Sequence, residues 1–115
     1  MNWGCLVQDM AKLALYAMQN ETFREMVKVQ QVNWQGGSYE KPLPTTNKLF
    51  SIMPEAIGVK TGHTNNAQYT LVGAAQKDGR ELIGVILGAP DENIFQNMKK
   101  ILTYGFEHTK VVPVI

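Results

Sequence analysis

The stretch Tyr69-Thr70-Leu71-Val72-Gly73-Ala74-Ala75-Gln76-Lys77-Asp78-Gly79-Arg80-Glu81-Leu82-Ile83-Gly84-Val85-Ile86-Leu87-Gly88 decides the fold. Two apolar runs of strand length, Tyr69 to Gln76 and Leu82 to Gly88, flank Lys77-Asp78-Gly79-Arg80, a good hairpin connection. Leu71, Gly73 and Ala75 share one face of the first strand, with Val72 and Ala74 on the other. In the second, Ile83, Val85 and Leu87 oppose Leu82, Gly84 and Ile86. Neither face is polar, so both should be covered by helices, and the small residues permit a close approach. Upstream, Ile57 to Gly62 reads as a third strand, and the short links imply an antiparallel meander. The fold class is α+β, a three-stranded antiparallel sheet with flanking helices.

Working outward, Leu6, Met10, Leu13, Ala14, Ala17 and Met18 recur at helical spacing and predict one amphipathic helix. Thr22 followed by Glu25 has the form of a capping box, which predicts a second short helical turn through Met26. Val27 to Trp34 has the alternation of a half-buried strand or extended arm, and Gly36 to Pro44 reads as a loop. Asn47 can cap a turn carrying Leu49 and Phe50. Asp91 can cap a last helix with Ile94, Met98, Ile101, Leu102 and Gly105 on one face, and Val111 to Ile115 is a terminal extended stretch.

Composition narrows the function classes. The chain has 115 residues, 44% hydrophobic and 18% charged, which suits one compact unit. A net charge of +1 supplies no footprint for nucleic acid or an anionic membrane surface. No run reaches the roughly 18 apolar residues of a membrane span, and Trp3-Gly4-Cys5 lacks the preceding apolar stretch of an export signal. The single cysteine, Cys5, has no internal disulfide partner, and its place at the start of an apolar helix favours a packed thiol. His63 and His108 lie far from each other and from Cys5, so no zinc-type spacing exists and no metal or cofactor is indicated.

The chemistry concentrates in Gly58-Val59-Lys60-Thr61-Gly62-His63-Thr64, where a cationic amine, a hydroxyl and two glycines share a strand-like segment. Lys-Thr-Gly is one of three elements of the penicillin-binding protein and serine β-lactamase site, the others being a Ser-x-x-Lys helix and a Ser-x-Asn-type loop. Thr46-Asn47-Lys48-Leu49-Phe50 precedes it; Ala67-Gln68-Tyr69-Thr70-Leu71-Val72 and Leu82 to Gly88 follow it. In that order, extended by Asp9-Met10-Ala11 through Thr22-Phe23-Arg24, the chain resembles the second half of the catalytic domain of the low-molecular-mass, serine-type D-alanyl-D-alanine carboxypeptidases. One departure is Gln68, where the family usually has glycine.

The resemblance implies a role for each motif residue. Lys60 would be catalytic, tuning the site's proton transfers, and would also help position the carboxylate of a terminal D-alanine. Thr61 would donate to that carboxylate, Gly62 would leave the strand edge open, and the backbone N–H of His63 would serve as an oxyanion donor. Thr64 would cap the turn. The His63 ring is not read as a general base, because the resembled enzymes use lysine. His108, in a polar tail, reads as solvated.

A serine nucleophile needs a base within reach, and the chain holds only Ser38 and Ser51. Ser38-Tyr39-Glu40-Lys41 matches Ser-x-x-Lys as a string, but Gly36 and Gly37 precede it and Pro42 disfavours helical geometry at Lys41. In the resembled family the nucleophile lies far upstream of Lys-Thr-Gly. Residues 1–110 therefore read as a partial transpeptidase-like domain lacking the nucleophile segment, and 111–115 as an extension toward a second, β-rich domain.

The expected function is that of an inactive piece of an enzyme that trims terminal D-alanine from peptidoglycan stem peptides at the extracytoplasmic face of the bacterial membrane. The intact enzyme would also take β-lactams. The alternatives are a noncatalytic interaction module on a degenerate penicillin-binding fold, or a piece of a serine β-lactamase. One sheet face and one edge are expected to be covered by the absent N-terminal portion, which makes self-association an expectation for the isolated chain.

Overall fold

A computed structural model describes residues 3–36 and 39–110. Ser38, the Ser-x-x-Lys string that it begins, and the 111–115 extension fall wholly or partly outside the described residues. The order is α1 (Trp3–Ala17), α2 (Glu21–Val27), β1 (Gln31–Gly36), β2 (Tyr39–Pro44), α3 (Leu49–Ile52), β3 (Ala56–Thr64), β4 (Gln68–Lys77), β5 (Arg80–Ala89) and α4 (Ile94–His108).

The three predicted strands form one antiparallel sheet in the order β3-β4-β5. Lys77 pairs with Arg80, and the turn between them places Asp78 at φ 53° and Gly79 at φ 75°. Both central residues have positive φ, the backbone that a two-residue hairpin matched to strand twist requires. Gly73 and Gly84 pair across β4 and β5 on the face that α4 covers.

The two apolar faces each build a core. Leu71 and Ala75 pack with Leu49 and Met53 from the α3 region and with Ile94, Phe95, Met98, Leu102 and Phe106 of α4. On the reverse, Val72 and Ala74 pack with Ile57 and with Ala14 and Met18 of the α1 segment, flanked by Met10, Phe23 and Val27. The expectation that an absent portion covers this second face is therefore corrected: α1 packs on β4 and β5, and α2 on β3. Arg24 of α2 ties the layer down, donating to both carboxylate oxygens of Glu81 at 2.8 and 2.9 Å and to the Met18 carbonyl at 3.1 Å. The hydrogen bond to Glu81 holds the Arg24 pKa above its ordinary value, so the guanidinium stays charged.

Other readings shift in detail. Gly36 to Pro44 is not a loop, because Tyr39–Pro44 is a strand paired with β1, register Val32 to Leu43 and Gln31 to Pro44. Pro42 and Pro44 are two residues apart, so their missing donors fall on the same side of the strand, and a two-stranded ribbon leaves such a side unpaired. Asn20, not Thr22, caps α2, its side chain accepting from the Phe23 N–H at 3.0 Å. Asn47 accepts from the Leu49 N–H at 3.1 Å, closing a turn one residue ahead of the α3 cap, Lys48. Asp91 closes a turn onto the Asn93 N–H at 3.0 Å, two residues ahead of the helix cap. Leu6, Leu13 and Ile101 lie at the margins of their predicted faces and are exposed; the buried line of α4 runs through Phe95 and Phe106 instead.

Candidate functional site

β3 is an edge strand, and its second half carries the motif. The register Lys60 to Val72, Thr61 to Leu71, Gly62 to Thr70 and His63 to Tyr69 sets the alternation. Thr61 and His63 share the face of Leu71 and Tyr69, while Lys60 and Gly62 share the other. Side chains of opposite parity converge on one ligand only at a strand's free edge. The Lys60 ammonium donates to the Thr61 carbonyl, and Lys60 and Thr61 both line the groove beside β3.

An open groove of about 590 Å³ runs along this strand, lined by all four residues Lys60, Thr61, Gly62 and His63. Pro44, Thr45, Thr46, Lys48, Ile94 and Phe95 also line it. Thr61, half-buried, shares a hydrogen bond of 2.7 Å with the hydroxyl of Thr46. At Gly62 a Cβ would stand 2.6 Å from the Thr70 hydroxyl, so any side chain there would displace Thr70. The His63 ring leans on Tyr69, centroids 4.2 Å apart at 40°. Thr64 caps the turn as its position predicts, accepting from the Ala67 N–H at 2.9 Å. Gln68 follows at φ 58°, the left-handed conformation that a glycine adopts without strain.

Charge in the groove is asymmetric. Lys48 is paired with Glu92 at 2.6 Å, which offsets one of the two lysines that line the groove. Among the described residues Lys60 forms no ion pair, and its ammonium donates to the Thr61 carbonyl. The groove therefore presents a net cation beside a hydroxyl and an open strand edge, a combination suited to a carboxylate.

The remaining candidates lie elsewhere. Ser51 is exposed on α3, and its hydroxyl donates to the Lys48 carbonyl at 2.8 Å. His108 stacks on Tyr104 at the exposed end of α4, with Nδ1 2.9 Å from the Tyr104 carbonyl. No cluster of three or more metal-ligating side chains occurs among the described residues. Sequence reasoning quoted Thr46 and Lys48 without assigning them a task, and missed Glu92 altogether. Thr45-Thr46-Asn47 before an apolar pair reads as capping chemistry, and nothing local signals that one of these hydroxyls reaches β3.

The sequence pattern of the D-alanyl-D-alanine carboxypeptidase family matches residues 6–91. A D-alanyl-D-alanine carboxypeptidase of Streptomyces sp. strain K15 is 36% identical over 106 residues, covering 86% of this chain and 36% of the relative. DacF of Bacillus subtilis, also a D-alanyl-D-alanine carboxypeptidase, is 31% identical over 78% of this chain and 26% of its own length. The crystal structure of the Streptomyces K15 DD-transpeptidase superposes with a TM-score of 0.79 at 36% identity, over 86% of this chain and 40% of that one. A D-alanyl-D-alanine carboxypeptidase structure from Mycobacterium tuberculosis gives 0.72 at 28% identity. The chain thus spans well under half the length of these relatives, and within that span it shares their fold. The 115-residue chain belongs to the D-alanyl-D-alanine carboxypeptidase family.

Proposed function

We propose that this chain forms the carboxylate-binding side of a serine-type D-alanyl-D-alanine carboxypeptidase site. Lys60 and Thr61 hold the terminal carboxylate of a peptidoglycan stem peptide, Gly62 leaves room for the peptide along β3, and the His63 N–H faces the carbonyl oxygen as it gains charge. In the whole enzyme a serine hydroxyl supplied by another part of the domain attacks the penultimate carbonyl. The peptide C–N bond breaks, the terminal D-alanine leaves with a proton delivered to its nitrogen, and water then releases the acyl group. Lys60 takes part in that proton traffic. Residues 1–110 are a partial domain of that enzyme; the whole enzyme works on the outer side of the cytoplasmic membrane and is acylated by β-lactams.

The observation that carries this reading is that Lys60 and Thr61 line one groove along the β3 edge, the Lys60 ammonium held on the Thr61 carbonyl and the groove's other lysine, Lys48, paired with Glu92. The test is a titration of the isotope-labelled chain, followed by nuclear magnetic resonance, with an acylated D-alanyl-D-alanine and with its C-terminal amide. The acid should perturb residues 60–64 and the amide should not. Hydrogen bonds to a charged group are worth about 1.5–3 kcal/mol, so Thr61→Val should weaken the acid roughly ten- to a hundredfold. Lys60→Ala should weaken it at least as much. His63→Ala should do less, because the backbone donor survives. Equal binding of acid and amide, or no perturbation along β3, would overturn the reading.

We also propose that the isolated chain self-associates. Support comes from the apolar side chains that α1 and α2 turn outward, Leu13, Leu15, Tyr16 and Met26, and from the outer edge of β5, which pairs with no strand among the described residues.

A further inference from the structure

Thr46 and Thr61 lie fifteen residues apart in the chain, yet their hydroxyl oxygens are 2.7 Å apart. The neighbours of Thr46 are occupied locally. The Thr45 hydroxyl accepts from the Asn47 N–H at 3.1 Å, the Thr45 N–H donates to the Gln30 carbonyl at 2.8 Å, and Asn47, 5% exposed, closes the turn onto Leu49. Those bonds hold the segment from both sides and leave the Thr46 side chain directed across to β3. Each threonine hydroxyl has a single proton. Between the two, one donates and the other accepts, and in the empty groove either direction satisfies the pair.

An anion in the groove removes that freedom. Thr61 can bind a carboxylate only by giving it its proton, and its oxygen then has to accept from Thr46. We propose that Thr46 is a positioning residue for substrate: it donates to Thr61 and so aims and polarises the Thr61 hydroxyl toward the ligand's carboxylate. This rests on the carboxylate-binding reading of the groove and adds a residue that the Lys-Thr-Gly motif does not contain. The relay Thr46 to Thr61 to carboxylate strengthens the terminal bond, because a hydroxyl that accepts a hydrogen bond is a better donor. Thr46 itself does not need to touch the ligand.

The experiment measures dissociation constants of acylated D-alanyl-D-alanine and its C-terminal amide for the chain and for Thr46→Val, Thr46→Ser, Thr61→Val and the Thr46→Val/Thr61→Val pair. Loss of a neutral hydrogen bond predicts roughly three- to tenfold weaker binding of the acid to Thr46→Val. Thr46→Ser, which keeps the hydroxyl, should restore it. On the Thr61→Val background, Thr46→Val should cost nothing further, because there is no hydroxyl left to aim. A merely structural role would instead give the same loss on either background and no rescue by serine, and that result would overturn the proposal. So would wild-type affinity in Thr46→Val. If the unsubstituted chain fails to distinguish acid from amide, the reading of the groove falls and the role of Thr46 falls with it.

Discussion

Met98 on α4 lies so close over Gly84 on β5 that a Cβ at position 84 would stand 2.6 Å from its sulfur. The same methionine closes on Gly73 of β4, where a Cβ would be 2.7 Å from its Cγ. Two paired glycines thus form a depression in the sheet, and one fully buried side chain fills it. Gly84→Ala meets the flexible end of Met98 and can be relieved by a change of its outer torsions. Gly73→Ala meets the Cγ, which moves only with χ1 or the helix. Overpacking a close-packed core costs typically 1–3 kcal/mol, and we expect Gly73→Ala toward the upper end and Gly84→Ala toward the lower. Denaturant unfolding of the two variants checks this; a larger cost at Gly84 would show that the helix, not the side chain, yields.

Gln68 opens β4 with a backbone in the left-handed region, φ 58°. For a residue with a Cβ that conformation costs about 1–2 kcal/mol, which glycine avoids, although glycine gives back part of the gain through its freer unfolded state. Gln68→Gly should therefore stabilise the chain by roughly 0.5–1 kcal/mol. It should leave the His63 to Tyr69 ring contact unchanged, as seen in the ring proton shifts. A loss of stability would mean that the Gln68 side chain makes a contribution its backbone does not reveal.

Labelled penicillin should form no covalent adduct with this chain. Ser51 is the described serine, and its hydroxyl is engaged with the Lys48 carbonyl rather than with a base. Without an activated nucleophile the acylation route is closed, whatever the groove binds. Intact-mass spectrometry after prolonged incubation checks the point. A one-to-one penicilloyl adduct on Ser51 or Ser38 would show that the chain carries its own nucleophile.

Tyr16 is 76% exposed and Leu13 59%, one turn of helix from each other on the outer side of α1. An isolated chain with such a helix face, and with a β5 edge that pairs with no strand among the described residues, is expected to dimerise or to associate further. Light scattering over a range of concentrations should show a mass above that of the monomer, and Tyr16→Lys with Leu13→Lys should lower it. A monomer at high concentration, with no dye binding to apolar surface, would contradict this.

The strands, the Asp78-Gly79 turn, the apolar pairing of both sheet faces and the motif on β3 were legible in the sequence, because each depends on residues a few positions apart. Alternation, turn chemistry and helical spacing are local physics, and the chain writes them locally. The family resemblance was legible for the same reason, since its signatures are short runs in a fixed order. The β2 strand was not: two prolines argue against a strand until a partner is present that leaves their side of the ribbon free. Tertiary structure alone decided that α1 and α2 cover the second face, that Lys48 is paired with Glu92 forty-four residues away, and that Thr46 meets Thr61. Those relationships arise from how layers pack. A side chain's partner across a groove is set by the distance between two backbones, and one-dimensional order does not encode that distance until the core has formed.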